Sequence, residues 1–130
     1  MIHTITNLQY IEDNWEAIAE ILEPTTDNRC TLQNVYDNLM SWDWSLLSIN
    51  DDDNKPVVLA TVSYIYYPNS TSFNIILLAG ALNKQYELMV QLEDIARSNG
   101  CDEIEISGRK GWQRILPDYE FSHITLRKSL

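Results

Sequence analysis

The chain has 130 residues, 45% of them hydrophobic, and a net charge of -10, which predicts one globular domain with a core of its own. Such an acidic balance argues against nucleic-acid binding, which needs clustered lysine and arginine. No apolar run approaches the ~18–20 residues of a membrane span, and the N-terminus lacks the basic and apolar regions of a signal peptide, so we expect neither membrane insertion nor signal-directed secretion.

The charge is distributed unevenly along the chain. Eleven acidic residues and a single base, Arg29, precede Lys55, whereas the remainder balances eight bases against eight acids. A solvated acidic face explains this asymmetry, and a surface for a basic partner is the alternative. Cys30 and Cys101 lie far apart without metal-ligand spacing, so we expect no metal site and two reduced thiols in a cytoplasm.

Helical spacing dominates the first third of the chain. Thr6 and Gln9 have the spacing of a capping box, and an amphipathic helix is predicted to follow and to end at Pro24. A second helix is predicted to begin after Thr31. The apolar residues at helical spacing are Ile11, Trp15, Ile18 and Leu22 in the first helix and Leu32, Val35, Leu39 and Trp42 in the second.

Three strands are predicted in the middle of the chain, at residues 44–49, 57–67 and 73–79, with polar turns at 51–54 and 68–72. The third is almost continuously apolar, which is typical of a strand buried on both faces. A helix over 83–98 ends at Asn99 and Gly100, which fit a left-handed C-cap. An alternating strand at 103–106, a helical turn around Trp112 and a closing strand complete the pattern.

With a short first strand before the first helix, so that residues 44–49 are the second strand and residues 103–106 the fifth, this order of elements resembles the GCN5-related N-acetyltransferase (GNAT) family. The resemblance implies an α/β (α+β) fold in one domain over residues 1–130, with a mixed, mostly antiparallel twisted sheet and helices on both faces. The tail, with Gly-Arg-Lys-Gly-Trp at residues 108–112, is similar to the small GNAT-like proteins of tailed bacteriophages, podophages among them. That similarity implies a phage protein located in the host cytoplasm, in the virion or in both.

In the GNAT family, the helix after the fourth strand binds the coenzyme A pyrophosphate at its N-terminus, and the fifth strand splays away to admit the pantetheine arm. The matching candidates for cofactor binding are Gly80, Ala81 and Lys84, and acetyl-CoA is the cofactor expected of an active enzyme. The basic residue and the spaced glycines of the family motif are absent here. A plain strand-to-helix turn at Gly80 is therefore the alternative.

The resemblance also directs attention to an acid and a base. Glu105 on the fifth strand is the candidate base, although it also fits the solvent side of an alternating strand. Leu116 occupies the position at which the family places its acid, which leaves Tyr119 as the candidate acid. The chain also continues for only nine residues after Phe121, enough for one closing strand. We therefore expect weakened or lost catalysis.

Five residues are candidates for contact with a protein partner. Trp42 and Trp44 lie where the second helix meets the second strand, which borders the acceptor site in the resembling family. Arg109, Lys110 and Arg114 form the basic cluster of the chain, for which ordinary solvated charge is the alternative.

Two functions are consistent with these residues. The first is a GNAT-like protein, catalytically degenerate, that acts through protein contacts with virion or assembly proteins. The second is an acetyl-CoA-dependent N-acyltransferase that acts on an unknown amine, with Glu105 as its base. The geometry at residues 79–85 separates them, because Leu82 or Trp112 filling the cleft would exclude the coenzyme.

Overall fold

A computed structural model of the chain describes residues 2–5, 7–107, 112–123 and 125–130. These residues form one five-stranded sheet with helices packed against it. The strands are β1 (Ile2–Ile5), β2 (Ser45–Asn50), β3 (Pro56–Tyr66), β4 (Thr71–Gly80) and β5 (Glu103–Ile106). The helices are α1 (Leu8–Asp13), α2 (Trp15–Leu22), α3 (Leu32–Met40), α4 (Leu82–Ser98) and α5 (Trp112–Ile115), with a 3-10 turn at Glu23–Thr25.

The sheet has the order β1-β2-β3-β4-β5, and only the β4–β5 pair is parallel. The parallel pair follows from the chain path, since α4 carries the chain back across the sheet between these strands. A bulge interrupts the β3–β4 pair, because Thr61 pairs with Leu77 and Val62 pairs with Ile75, which leaves Ile76 without a partner on β3. The predicted mixed, mostly antiparallel sheet is confirmed.

Apolar cores cover both faces of the sheet. On one face, buried residues of α1, α2 and α3 pack on β2 and β3, as Ile18 and Leu22 do against Leu46 and Leu59. We call these helices the N-terminal layer. On the other face, α4 packs Leu88, Met89 and Leu92 against β3, β4 and the half-buried Ile104 and Ile106 of β5. The prediction of helices on both faces is therefore confirmed.

The first predicted helix is in fact two helices. Asn7 caps α1 by accepting a hydrogen bond from the backbone N–H of Gln9, and Thr6 lies outside the described residues. The amide of Asn14 then donates to the carbonyl oxygen of Tyr10 at 3.0 Å, and Asn14 leaves the helical conformation with φ of -111°. A side chain that binds the preceding turn in this way competes with the helix, so the chain is kinked before α2.

Two further predictions about elements were wrong. Trp42 does not extend the apolar face of α3, because the helix ends at Met40 and Trp42 has the left-handed φ of 66°. The closing strand does not form among described residues 117–123 and 125–130. Leu126, which that strand would have buried, is 91% exposed. No helix in the described part of the chain is both long and apolar enough to span a bilayer.

Candidate functional site

A cleft opens where β4 and β5 separate. β5 pairs only with Ser72–Ile75, so the edge of β4 from Ile76 to Gly80 has no neighbouring strand on that side within the described residues. The cleft has a volume of about 510 Å³ and lies between this edge, Trp112 and the segment from Pro24 to Asp27. Peptide groups along an unpaired edge are available to a ligand that carries amides of its own.

The N-terminus of α4 lies at one end of the cleft. Ala81 precedes the helix, and its carbonyl oxygen accepts from the backbone N–H groups of Lys84 and Gln85. The helix has no side-chain cap and no acidic residue in its first turn. Free N–H groups at a helix start carry partial positive charge and suit an anion such as a phosphate. The amide of Gln85 closes the turn by donating to the carbonyl oxygen of Gly80 at 3.0 Å.

Gly80 lies too close to the backbone of β3 to carry a side chain. Its φ is 120°, and a Cβ added there would lie 2.4 Å from the carbonyl oxygen of Val57 and 2.6 Å from the Cα of Val58. The absence of a side chain therefore lets β3 and β4 approach closely at the end of the sheet, and this favours the turn interpretation of Gly80. Gly80 also lines the cleft, and cofactor binding by Gly80 and Ala81 stays a prediction.

Lys84 lies on the first turn of α4, where a cation would assist an anionic ligand. Its Nζ atom lies 3.1 Å from an oxygen of Glu87, and its side chain is 44% exposed. Ion pairs this exposed contribute about 0–1 kcal/mol, so Lys84 can exchange this partner for a ligand phosphate at little cost.

Glu105 lies beside the point at which the two strands separate. It pairs with Asn74 one position before the last pair of the β4–β5 ladder, Ile75 with Ile106. The hydroxyl of Tyr67 donates to this carboxylate, with distances of 3.1 and 3.2 Å to its two oxygens. The hydrogen bond to Glu105 also raises the pKa of Tyr67, because it stabilises the protonated hydroxyl. Glu105 is therefore a half-buried carboxylate with a dedicated hydrogen-bond donor.

Tyr119 lies apart from the cleft and faces α4. Its hydroxyl donates to Glu93 at 2.9 Å, and its ring packs on the α4 side of the sheet. Burial raises the pKa of Tyr119 well above its ordinary value, and the hydrogen bond and charge of Glu93 raise it further. Such a hydroxyl does not readily release its proton near neutral pH, so it is a poor general acid. The acid role of Tyr119 stays a prediction without geometric support.

Of the five residues expected to contact a partner, the structure describes Trp42, Trp44 and Arg114. Trp42 is 56% exposed, whereas Trp44 is partly buried against the core of the N-terminal layer. Arg114 is exposed on α5. Arg109 and Lys110 lie outside the described residues.

Sequence reasoning missed two contributors to this region. Nothing local indicated that Tyr67, just after β3, would meet Glu105, which lies 38 positions away. Trp112 packs partly against the α4-side core and forms part of the wall of the cleft without filling it. The side chain of Leu82, the other residue expected to decide this point, lies outside the described part.

Several solved structures with the same arrangement are acetyltransferases. A Staphylococcus aureus GNAT family acetyltransferase superposes with a TM-score of 0.76 at 12% identity, over 100% of this chain and 98% of that chain. A Trypanosoma brucei acetyltransferase has a TM-score of 0.73 at 13% identity, over 100% and 99%. The chain has the GNAT fold.

The GNAT fold is also shared with glucosamine-6-phosphate N-acetyltransferase from Arabidopsis thaliana, at a TM-score of 0.72 and 13% identity, over 99% of this chain and 97% of that one. No family model and no curated protein sequence matches the chain. At such identities the likeness extends to the GNAT fold alone. The resemblance drawn from the order of elements is confirmed at that level, and the narrower phage origin stays a prediction.

Proposed function

We propose that the chain is an acyltransferase that binds acetyl-CoA in the cleft between β4 and β5 and acylates an amine. The observation that carries this proposal is the unpaired edge of β4 from Ile76 to Gly80, which leads directly to the uncapped N-terminus of α4. An elongated ligand with amides along its length and a phosphate group at one end has matching partners along this path.

The residues present suit such a ligand. The first-turn N–H groups of α4 and the Nζ atom of Lys84 would hold a pyrophosphate, and the open peptide groups of β4 would pair with the amides of the pantetheine arm. Trp112 and Ile106 would cover its apolar side. When bound, acetyl-CoA supplies an acyl group activated as a thioester.

Glu105 would take a proton from the acceptor. An amine is protonated near neutral pH and becomes a nucleophile only after losing that proton. The carboxylate of Glu105, fixed by Tyr67 beside the point where the strands separate, would accept it. After the nitrogen attacks the thioester carbonyl, its second proton would pass to the departing sulfur, whose thiol has a pKa of about 8.5, so coenzyme A would leave as the thiol and no acid residue is needed to balance the step.

Calorimetry with coenzyme A and a thiol-release assay with acetyl-CoA and a panel of primary amines test the proposal. We expect Glu105→Gln to lower turnover by about 100-fold or more while the coenzyme affinity stays unchanged. Glu12→Gln removes the same charge from an exposed position of α1 and is the matched control. Absence of coenzyme binding at millimolar concentration would contradict the proposal, and unchanged turnover in Glu105→Gln would exclude the role of Glu105.

A second candidate is a catalytically degenerate phage protein that acts through protein contacts in the virion or its assembly. Two observations favour it, namely the attachment of Tyr119 to Glu93 and the 56% exposure of Trp42. Detection of the chain in purified phage particles, together with an absence of coenzyme binding, would support this candidate. Coenzyme binding with amine turnover would refute it.

A further inference from the structure

One half of a sheet face is polar and lies next to the cleft. On the side of the sheet that carries the N-terminal layer, the apolar residues under the helices give way to polar ones beyond the bulge at Ile76. We call this second region the polar half-face. Its members are Ser63 and Tyr67 from β3 and the turn after it, Ser72 and Asn74 from β4, and Glu103 and Glu105 from β5.

The strand registers bring these side chains together. Asn74 pairs with Ser63 on one side and with Glu105 on the other, and its amide donates to the hydroxyl of Ser63 at 3.4 Å. Ser72 pairs with Glu103 on one side and with the apolar Ile65 on the other. Since Phe73, Ile104 and their neighbours fill the α4 side, these polar residues share the opposite face.

Ser72 provides an independent indication that the polar half-face is built for a ligand. Its side chain is fully buried, yet its hydroxyl has no hydrogen-bond partner within the described structure. A buried hydroxyl without a partner costs about 1–3 kcal/mol, so such groups call for an explanation. A ligand bound beside Glu103 that donates a hydrogen bond to the Ser72 hydroxyl would supply this explanation.

Glu103 and Glu105 carry two negative charges at a defined spacing. Two residues apart on one strand, they are separated by about 6.7 Å along the strand and project on the same face. The carboxylate of Glu105 keeps acceptor capacity after its bond to Tyr67, since a carboxylate has about four lone-pair sites. The helices of the N-terminal layer, on this side of the sheet, add to the negative field, because they carry five acids (Glu12, Asp13, Glu16, Glu20 and Asp37) and no base.

We propose that the polar half-face binds the acceptor, and that the acceptor is a small aliphatic amine with two cationic nitrogens. One ammonium contacts Glu105 beside the cleft, where it loses its proton and reacts, and the second contacts Glu103. The assignment of this amine as acceptor rests on the proposed acyltransferase function. In this arrangement, Glu103 determines the specificity for diamines, whereas Glu105 contacts the reacting nitrogen of monoamines and diamines alike.

Calorimetry of the full chain without coenzyme tests the binding of 1,4-diaminobutane against 1-aminobutane. Because Glu103 is exposed, we expect the diamine to bind about fivefold more tightly, which corresponds to about 1 kcal/mol. Glu103→Gln should lower the diamine affinity about fivefold and leave the monoamine affinity unchanged, because only the diamine reaches that carboxylate. Glu105→Gln should weaken both, and the exposed Glu12→Gln should change neither.

Several outcomes would overturn the inference. These are equal affinities for the two amines, absence of binding by either, and unchanged diamine affinity in Glu103→Gln. A separate titration with coenzyme A keeps the two proposals distinct. Diamine binding without coenzyme binding contradicts only the acyltransferase, whereas coenzyme binding with turnover of monoamines and no preference for diamines contradicts only the diamine site.

Discussion

Gly80→Ala is the substitution whose cost follows most directly from the geometry. A φ of 120° is strained for alanine by roughly 1–3 kcal/mol, and the new Cβ would overlap the backbone of Val57 and Val58 at 2.4 and 2.6 Å. Displacing packed backbone costs a further 1–3 kcal/mol or so, so we expect a loss of about 4 kcal/mol in the free energy of unfolding. The free energy of unfolding of a domain this size is about 5–15 kcal/mol, so the variant should still fold.

Gly100→Ala is the matched control. Gly100, the residue after the C-cap Asn99 of α4, has φ of 75°, and nothing lies within 4 Å of an added Cβ, so only the backbone strain of about 1–2 kcal/mol applies. Urea denaturation followed by tryptophan fluorescence measures both variants. If Gly80→Ala costs no more than Gly100→Ala, the close approach of β3 does not explain the glycine.

Three further predictions concern single side chains. Because burial and Glu93 raise the pKa of Tyr119 above 10.0, the unfolded chain releases this proton first, and stability should fall as the pH rises above about 10. Between about pH 9 and pH 11, Tyr119→Phe should lose less free energy of unfolding than the unsubstituted chain, measured by urea denaturation. Equal losses in the two proteins would contradict the assignment of this pH dependence to Tyr119. Thr61 is fully buried and its hydroxyl has no hydrogen-bond partner in the part of the chain that the structure describes, so Thr61→Val should raise the free energy of unfolding by about 1 kcal/mol, and a decrease would contradict this. Tyr67→Phe should lower kcat about tenfold by releasing Glu105, with the coenzyme affinity unchanged. Since Tyr67 is exposed, its loss should change stability by less than about 0.5 kcal/mol, and a larger change would indicate a structural role instead.

Much of the fold could be predicted because its signals are local. Helical spacing predicted 83–98 against the observed Leu82–Ser98, and strict alternation predicted Glu103–Ile106 in full. The division at Asn14 was missed because it depends on one side chain that binds the preceding turn. The left-handed conformation of Trp42 was missed as well, since tryptophan rarely adopts positive φ and no local signal indicates it.

The site was less accessible to sequence reasoning, because its contacts join distant segments. Glu105 could be nominated from its place on an alternating strand, but its partner Tyr67 is brought to it only by the packing of β3, β4 and β5. Tyr119 was nominated by its proximity to the family's acid position. Its actual partner, Glu93, is set by how the tail crosses α4, which no periodicity encodes.

The short ladder between β4 and β5 has a consequence for motion. At its start, β5 is held by two hydrogen bonds to Thr71. The backbone N–H of Thr71 donates to the carboxylate of Asp102, and the backbone N–H of Asp102 donates to the carbonyl oxygen of Thr71. At its other end, the ladder stops at Ile106. β5 can therefore swing outward about Asp102, which would widen the cleft while the longer β3–β4 pair stays intact. Hydrogen exchange should register this as faster exchange at Glu105 and Ile106 than at the centre of β4.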